Sequence, residues 1–143
     1  QVKDNNSIGR IVAECIIYYD NVLREKENAI RIEKGKNTIE LFTPYISGIG
    51  LPCGFEDLNF LKSKGYKVVY QGYKTGKKTR KSSSYRVNLS FDEERFIVKV
   101  LVDSPAKKER GKYNLVVFRV GTFQYFYNKE ENKWKLESFT DKV

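Results

Sequence analysis

Histidine and methionine are both absent from the 143 residues of this chain. Without an imidazole, no His–Asp dyad or Cys–His nucleophile can form, and the commonest nitrogen ligand for zinc is missing. Cysteine occurs twice, at Cys15 and Cys53, which is too few and too widely spaced for a Cys-based metal site. No apolar run approaches the roughly eighteen residues of a membrane span. There is no G-x-S-x-G element, and Gly76-Lys77 lacks the Walker A spacing around it. "GIGLPCG" at 48–54 has no preceding strand and reads as a structural loop. The acids "DEE" at 92–94 and the pair Glu130 and Glu131 fall in polar turns, not across a pocket as glycoside hydrolysis requires. No cofactor, metal site or catalytic set is therefore predicted.

Positive charge is plentiful but uneven. The net charge is +9, and residues 1–64 contribute none of it, with nine basic and nine acidic side chains. Residues 65–143 hold eighteen basic and nine acidic ones. Five of the eight residues from 74 to 81 are basic: Lys74, Lys77, Lys78, Arg80 and Lys81. They are read as a hairpin loop, either a plain solvated face or a candidate contact for a polyanion or acidic protein, a polyanion contact being weak, salt-sensitive and blind to base sequence. Lys107, Lys108, Arg110 and Lys112 form a second basic loop. Cys15 and Cys53 are a candidate disulfide, with free thiols as the alternative. With Gln1 first and no methionine, the chain reads as a mature or trimmed product. Sequon patterns start at Asn5 and Asn88 and matter only in a eukaryotic secretory pathway.

Hydrophobic periodicity divides the chain. After Ser7, a good N-cap, Ile8, Ile11, Val12, Cys15, Ile16, Tyr19, Val22 and Leu23 recur at helical spacing, so a helix is predicted over 7–25. Arg10, Glu14, Asp20 and Arg24 fall on its other positions. Short helices are expected near 38–46 and 56–64, the latter ended by Gly65. From Tyr66 the period becomes two, and strands are predicted over "YKVVYQGYK", "SYRVNLSF", "RFIVKVLVD", "KYNLVVFRVGTFQYFYN" and "KWKLESF", with Gly121 as a bulge or bend. Successive strands joined by short polar turns imply an antiparallel meander. Tyr125, Phe126 and Tyr127 are consecutive, so at least one of them faces away from the core.

This order, ending in "VVFRVGTFQYFYNKEENKWKLESF" with Trp134 opening the last strand, resembles the nuclear-transport-factor-2-like (cystatin-like cone) superfamily. The resemblance implies a single α+β domain over 1–143, with N-terminal helices packed on a curved antiparallel sheet of four to five strands. It also implies a pocket whose catalytic members rely on an Asp, often with His or Tyr. Asp20, Asp57 and Asp103 are the carboxylates considered for that role, and Tyr18, Tyr19, Tyr45 and Tyr70 the phenols. The expected function is a non-catalytic module binding a protein or small ligand, extracellular or extracytoplasmic, with homo-oligomerisation through the sheet as a further partner option. The alternatives are a small isomerase- or dehydratase-type enzyme using a pocket carboxylate, and a weak nucleic-acid or polyanion binder.

Overall fold

The structure, a computed structural model, describes residues 7–35, 45–48, 50–69, 84–105 and 115–142. Helix α1 spans Ile8–Glu33, and the Ser7 side chain accepts the Arg10 N–H at 3.2 Å. Its buried stripe is Ile11, Val12, Cys15, Ile16 and Tyr19. The helix outruns the expected 7–25 because "EKENA" is made mostly of good helix formers and needs no buried face. It stops where Gly35 takes a left-handed backbone at φ 74°. Helix α2 is Phe55–Ser63, with Leu61 fully buried and Gly65 (φ 93°) just beyond its end. Gly9 is where the start of α1 meets the loop before α2. A Cβ there would stand 2.3 Å from Asp57 Oδ2 and 2.6 Å from the Pro52 carbonyl oxygen.

Six strands form one sheet: β1 Tyr45–Ser47, β2 Lys67–Val69, β3 Ser84–Asp92, β4 Arg95–Pro105, β5 Leu115–Asn128 and β6 Lys133–Lys142. Their spatial order is β2-β1-β3-β4-β5-β6. Strands β3 to β6 make the expected antiparallel meander. The remainder corrects the expectation. Residues 45–47, assigned by sequence to the end of a short helix, are a strand whose Ile46 is fully buried, and it runs parallel to both neighbours. The sheet is therefore mixed and open, with β2 and β6 at its edges, not a curled antiparallel cone. The resemblance to the nuclear-transport-factor-2-like superfamily fails on this point. A second correction follows from the pairing. Since β1 lies between β2 and β3, those two strands are parallel to each other, and residues 70–83 do not join the arms of a hairpin.

One face of the meander carries the core. Phe96, Val98, Val100 and Val102 of β4 are buried on the side facing α1, while Lys99 between them is exposed. No bulge falls at Gly121: its register in β5 is regular, and the irregularities fall between Val102 and Asp103 and between Gln124 and Tyr125. The glycine is needed because the Tyr19 ring lies on it, and an added Cβ would be 2.9 Å from three ring carbons.

Phe91, Phe96, Tyr125 and Leu136 are successive partners across β3, β4, β5 and β6 and form one transverse row on the helix side. Trp134 sits beside that row, edge-on to Phe96 at 4.7 Å and to Tyr127 at 5.1 Å between centroids. It is only half-buried, and both ring partners belong to the sheet. Trp134→Ala is expected to cost about 2 kcal/mol, below the ~3–5 of a fully buried aromatic. A urea melt of the variant checks this value.

Candidate functional site

The carboxylates considered for a pocket have different fates. Asp20 was assigned by helical spacing to the polar side of α1, yet it is only 4% exposed. The Tyr66 hydroxyl donates to its Oδ2 at 2.7 Å, and the Tyr85 hydroxyl donates to its Oδ1. Arg24, one turn further along α1, donates through Nε to Oδ2 at 2.7 Å. Tyr66 directly precedes β2 and Tyr85 lies in β3, so Asp20 ties the helix to the parallel end of the sheet. Burial first, then the neighbouring carboxylate, pushes the Tyr66 and Tyr85 hydroxyls well above the usual phenol range. They remain neutral donors. Asp57 accepts the backbone N–H of Gly54 at 3.1 Å and so caps α2. Asp103 pairs with Ser84 at the β4 irregularity, and its side chain lies outside what is described.

A second carboxylate, on a half-buried residue whose side chain is largely covered, was not anticipated. Asp141 of β6 receives Arg119 Nε on Oδ1 at 2.9 Å and Arg119 Nη2 on Oδ2 at 2.8 Å. The Tyr19 hydroxyl donates to Oδ1 at 2.7 Å and Lys26 Nζ to Oδ2 at 2.7 Å. Its signal was present in the sequence. Strand alternation puts Arg119 in phase with Gly121 and Phe123, and Asp141 in phase with Phe139, so both charges fall on the apolar face. The Arg119 bond above all, helped by Lys26 and Tyr19 and opposed by burial, holds the Asp141 carboxyl well below the ordinary carboxylate range.

The sign of the consequence follows from that depression. A carboxylate more acidic folded than unfolded stabilises the fold above its unfolded pKa of about 4, and the gain fades as pH falls from there towards the folded value. Asp141→Asn is therefore expected to destabilise at pH 7 and to differ less from the parent chain near pH 3. Urea midpoints of both chains at the two pH values read this out.

The other candidates are scattered. Cys15 and Cys53 are free thiols here, so the candidate bridge is not formed. Cys15 Sγ lies 3.3 Å from the Tyr125 hydroxyl, and Cys53 Sγ donates to the Gly9 carbonyl at 3.4 Å. Burial pushes each thiol up to about 12, which keeps both poor nucleophiles. Tyr19 belongs to the Asp141 network. Tyr45 is half-buried in β1, with Lys67 Nζ 6.0 Å from its ring centre. Tyr70, the run Lys74, Lys77, Lys78, Arg80 and Lys81, and the loop Lys107, Lys108, Arg110 and Lys112 lie outside the described residues.

What is left open is the outer margin of β6. This ten-residue strand ends the sheet, and no described strand pairs with its far side. On the helix side it presents half-buried Trp134 and Phe139 and 52%-exposed Leu136. Tyr18 of α1, also 52% exposed, stands edge-on to Phe139 at 5.2 Å. On the opposite side it presents Lys133, Lys135 and Lys142, in register with Asn128, Phe126 and Val120. Glu137 on that side is bonded by Arg95 at 3.1 Å, and Lys135 pairs with Glu131. The margin thus carries Trp134, Leu136 and Phe139 with Asp141 on the helix side, and side chains of both charge signs on the other.

Known proteins add no further constraint, since no family model, curated protein or solved structure matches this chain. No helix among the described residues is long and apolar enough to cross a membrane.

Proposed function

We propose that this chain is a non-catalytic binding module whose ligand is another protein, engaged along the open β6 margin. The observation that carries the reading is the pair of exposed apolar side chains there, Leu136 and Tyr18, next to a strand edge with which no described strand pairs. Large apolar side chains clustered at an edge mark contact surfaces more often than isolated ones do. The covered carboxylates point the same way, because Asp20 and Asp141 each already accept at least three internal hydrogen bonds. A general base needs a lone pair aimed at substrate, and these lone pairs are spent on the fold.

Among the considered acids whose side chains are described, Asp20 is the one buried between phenols, and an isomerase-like activity would be sought there first. Its donors link helix to sheet, which is what a structural network does. A location outside the cytoplasm belongs to the same proposal. Asn88, in a sequon pattern, is exposed on β3 and open to glycosylation in a eukaryotic secretory pathway. Cross-linked affinity capture from the source organism tests the binding reading, using the parent chain beside Leu136→Lys and Tyr18→Lys. A partner held at constant stoichiometry by the parent and lost from both variants is the expected result. A partner set unchanged by both substitutions would sink the reading.

A further inference from the structure

We propose that the chain forms a two-fold dimer in which the run 138–142 of β6 pairs antiparallel with the same run of a second copy, centred on Thr140. The inference goes beyond the binding reading above, because it assigns one run of the margin and leaves Trp134 and Leu136 to the other protein. The extra residue at Glu137, which breaks the β5–β6 register, divides the edge into 133–136 and 138–142. Edge strands are commonly guarded against pairing by charge or proline. Ser138, Phe139 and Thr140 carry neither, and no described strand pairs with their outer side.

Pairing across a two-fold axis fixes which side chains meet, since each residue faces the one equally far from the axis on the other copy. Centred on Thr140, the side away from the helices opposes Thr140 to itself and Ser138 to Lys142. Cross-strand threonine pairs are favourable, and no like charges are opposed. On the helix side Phe139 faces Asp141, whose carboxylate is already held by Arg119, Lys26 and Tyr19. The two Phe139 rings become diagonal neighbours, within aromatic reach. The other centres fail. Asp141 or Lys142 at the axis sets that charge against its own copy, and any centre in 133–136 either opposes lysines or runs the pairing through the bulge. Phe139 at the axis leaves 138–140 alone regularly paired.

The helical layer leaves room for the second copy. Helix α1 rides over β5, where Tyr19 covers Gly121 and Cys15 meets Tyr125. Across the axis two such helices stand three strand spacings apart, roughly 14 Å, against about 8–10 Å for helices in contact. The gap is floored by the Phe139 rings and flanked by Tyr18, which is 52% exposed and edge-on to Phe139. A second copy therefore covers apolar surface that the monomer leaves in water. The interface is small, so its Kd falls in the range of roughly 10–100 μM. The net charge of +9 on each copy opposes approach, so the dimer should tighten severalfold as salt screens that repulsion. Polyanion binding would do the opposite.

The test is sedimentation equilibrium of the full chain from about 5 to 300 μM, at ~50 and ~500 mM salt. The parent chain is expected to dimerise, more tightly at the higher salt. Thr140 is exposed, so charges are tolerated there by the monomer. Thr140→Lys and Thr140→Glu should each weaken the dimer by about tenfold or more, and an equimolar mixture of the two should recover it. Recovery by mixing is a readout that a folding defect cannot imitate. In a Cys53→Ser background, Thr140→Cys should cross-link to itself under mild oxidation, whereas Ser138→Cys should cross-link to Lys142→Cys rather than to itself. A monomer at every concentration and both salts would overturn the proposal. A dimer that weakens with salt, ignores Thr140→Lys, is not recovered by mixing or lacks these cross-links would overturn it as well. A Leu136-dependent partner captured by a monomeric chain leaves the binding reading standing and removes self-pairing. A Thr140-dependent dimer that captures no other protein does the reverse, and a monomer without a captured partner removes both.

Discussion

Asp20→Ala is expected to cost about 3–5 kcal/mol, the range for removing one partner of a buried charged pair. The substitution removes the acceptor for Tyr66, Tyr85 and Arg24 together. Two neutral hydroxyls then remain buried without this acceptor, and the Arg24 guanidinium loses the carboxylate at 2.7 Å. Asp20→Asn keeps one acceptor oxygen but turns an amide towards donors, so it should fall between the parent chain and the alanine variant. Urea melts of the three chains measure this order. The outcome also bears on function, because acids held in place for catalysis are frequently a net cost to stability. A neutral or stabilising Asp20→Asn would mean that the network is kept for chemistry and would reopen the enzymatic alternative.

Phe96→Ala is expected to be of similar size, about 3–5 kcal/mol, because a fully buried aromatic leaves a cavity that the sheet cannot close. Phe96 is stacked on Tyr125 at 5.0 Å, tilted to Phe91 at 5.7 Å and met edge-on by Trp134 at 4.7 Å. Phe91 is the contrast within the same row. It is 60% exposed, and its replacement by alanine should cost less than about 1 kcal/mol. Measuring both variants under one set of conditions separates the buried middle of the row from its exposed end. Equal losses would show that Phe91 is covered in solution.

The legibility of the fold in the sequence was uneven, for identifiable reasons. The stripe from Ile11 to Tyr19 and the alternation from Tyr85 to Val102 are long and strongly periodic, and they placed α1, β3 and β4 correctly. The three-residue strand Tyr45–Ser47 was misread because a run so short has no period of its own. Its state is set by the two partners it pairs with, which are distant in sequence. That misreading also hid the mixed sheet and turned a connection between parallel strands into a hairpin, while the cone came from the resemblance carried by the long fifth strand and the ending at Trp134. Asp20 was placed on the polar side because its spacing says nothing about Tyr66 and Tyr85, the residues that make its burial tolerable. Asp141 and Arg119 were visible as charges in the apolar phase of their strands. The unmatched edge of β6 was hidden, because only the strand order reveals which strand comes last.

The insertion of β1 between β2 and β3 has a consequence for the time order of folding. Strands β3 and β4 are joined through the turn at 93–94, and β5 and β6 through 129–132, so these pairs can form early from local contacts. The parallel end must gather residues 45–47, 67–69 and 84–85 from separate parts of the chain, and within the described sheet its ladder runs through the three residues of β1. Loop closure there comes late and gains few hydrogen bonds. The same end should therefore open first in the native state, well below the free energy of global unfolding. Amide exchange is expected to be faster for Ile46 and Val68 than for Val98, Val100 and Phe123. Equal protection across these residues would show that the sheet opens as one unit.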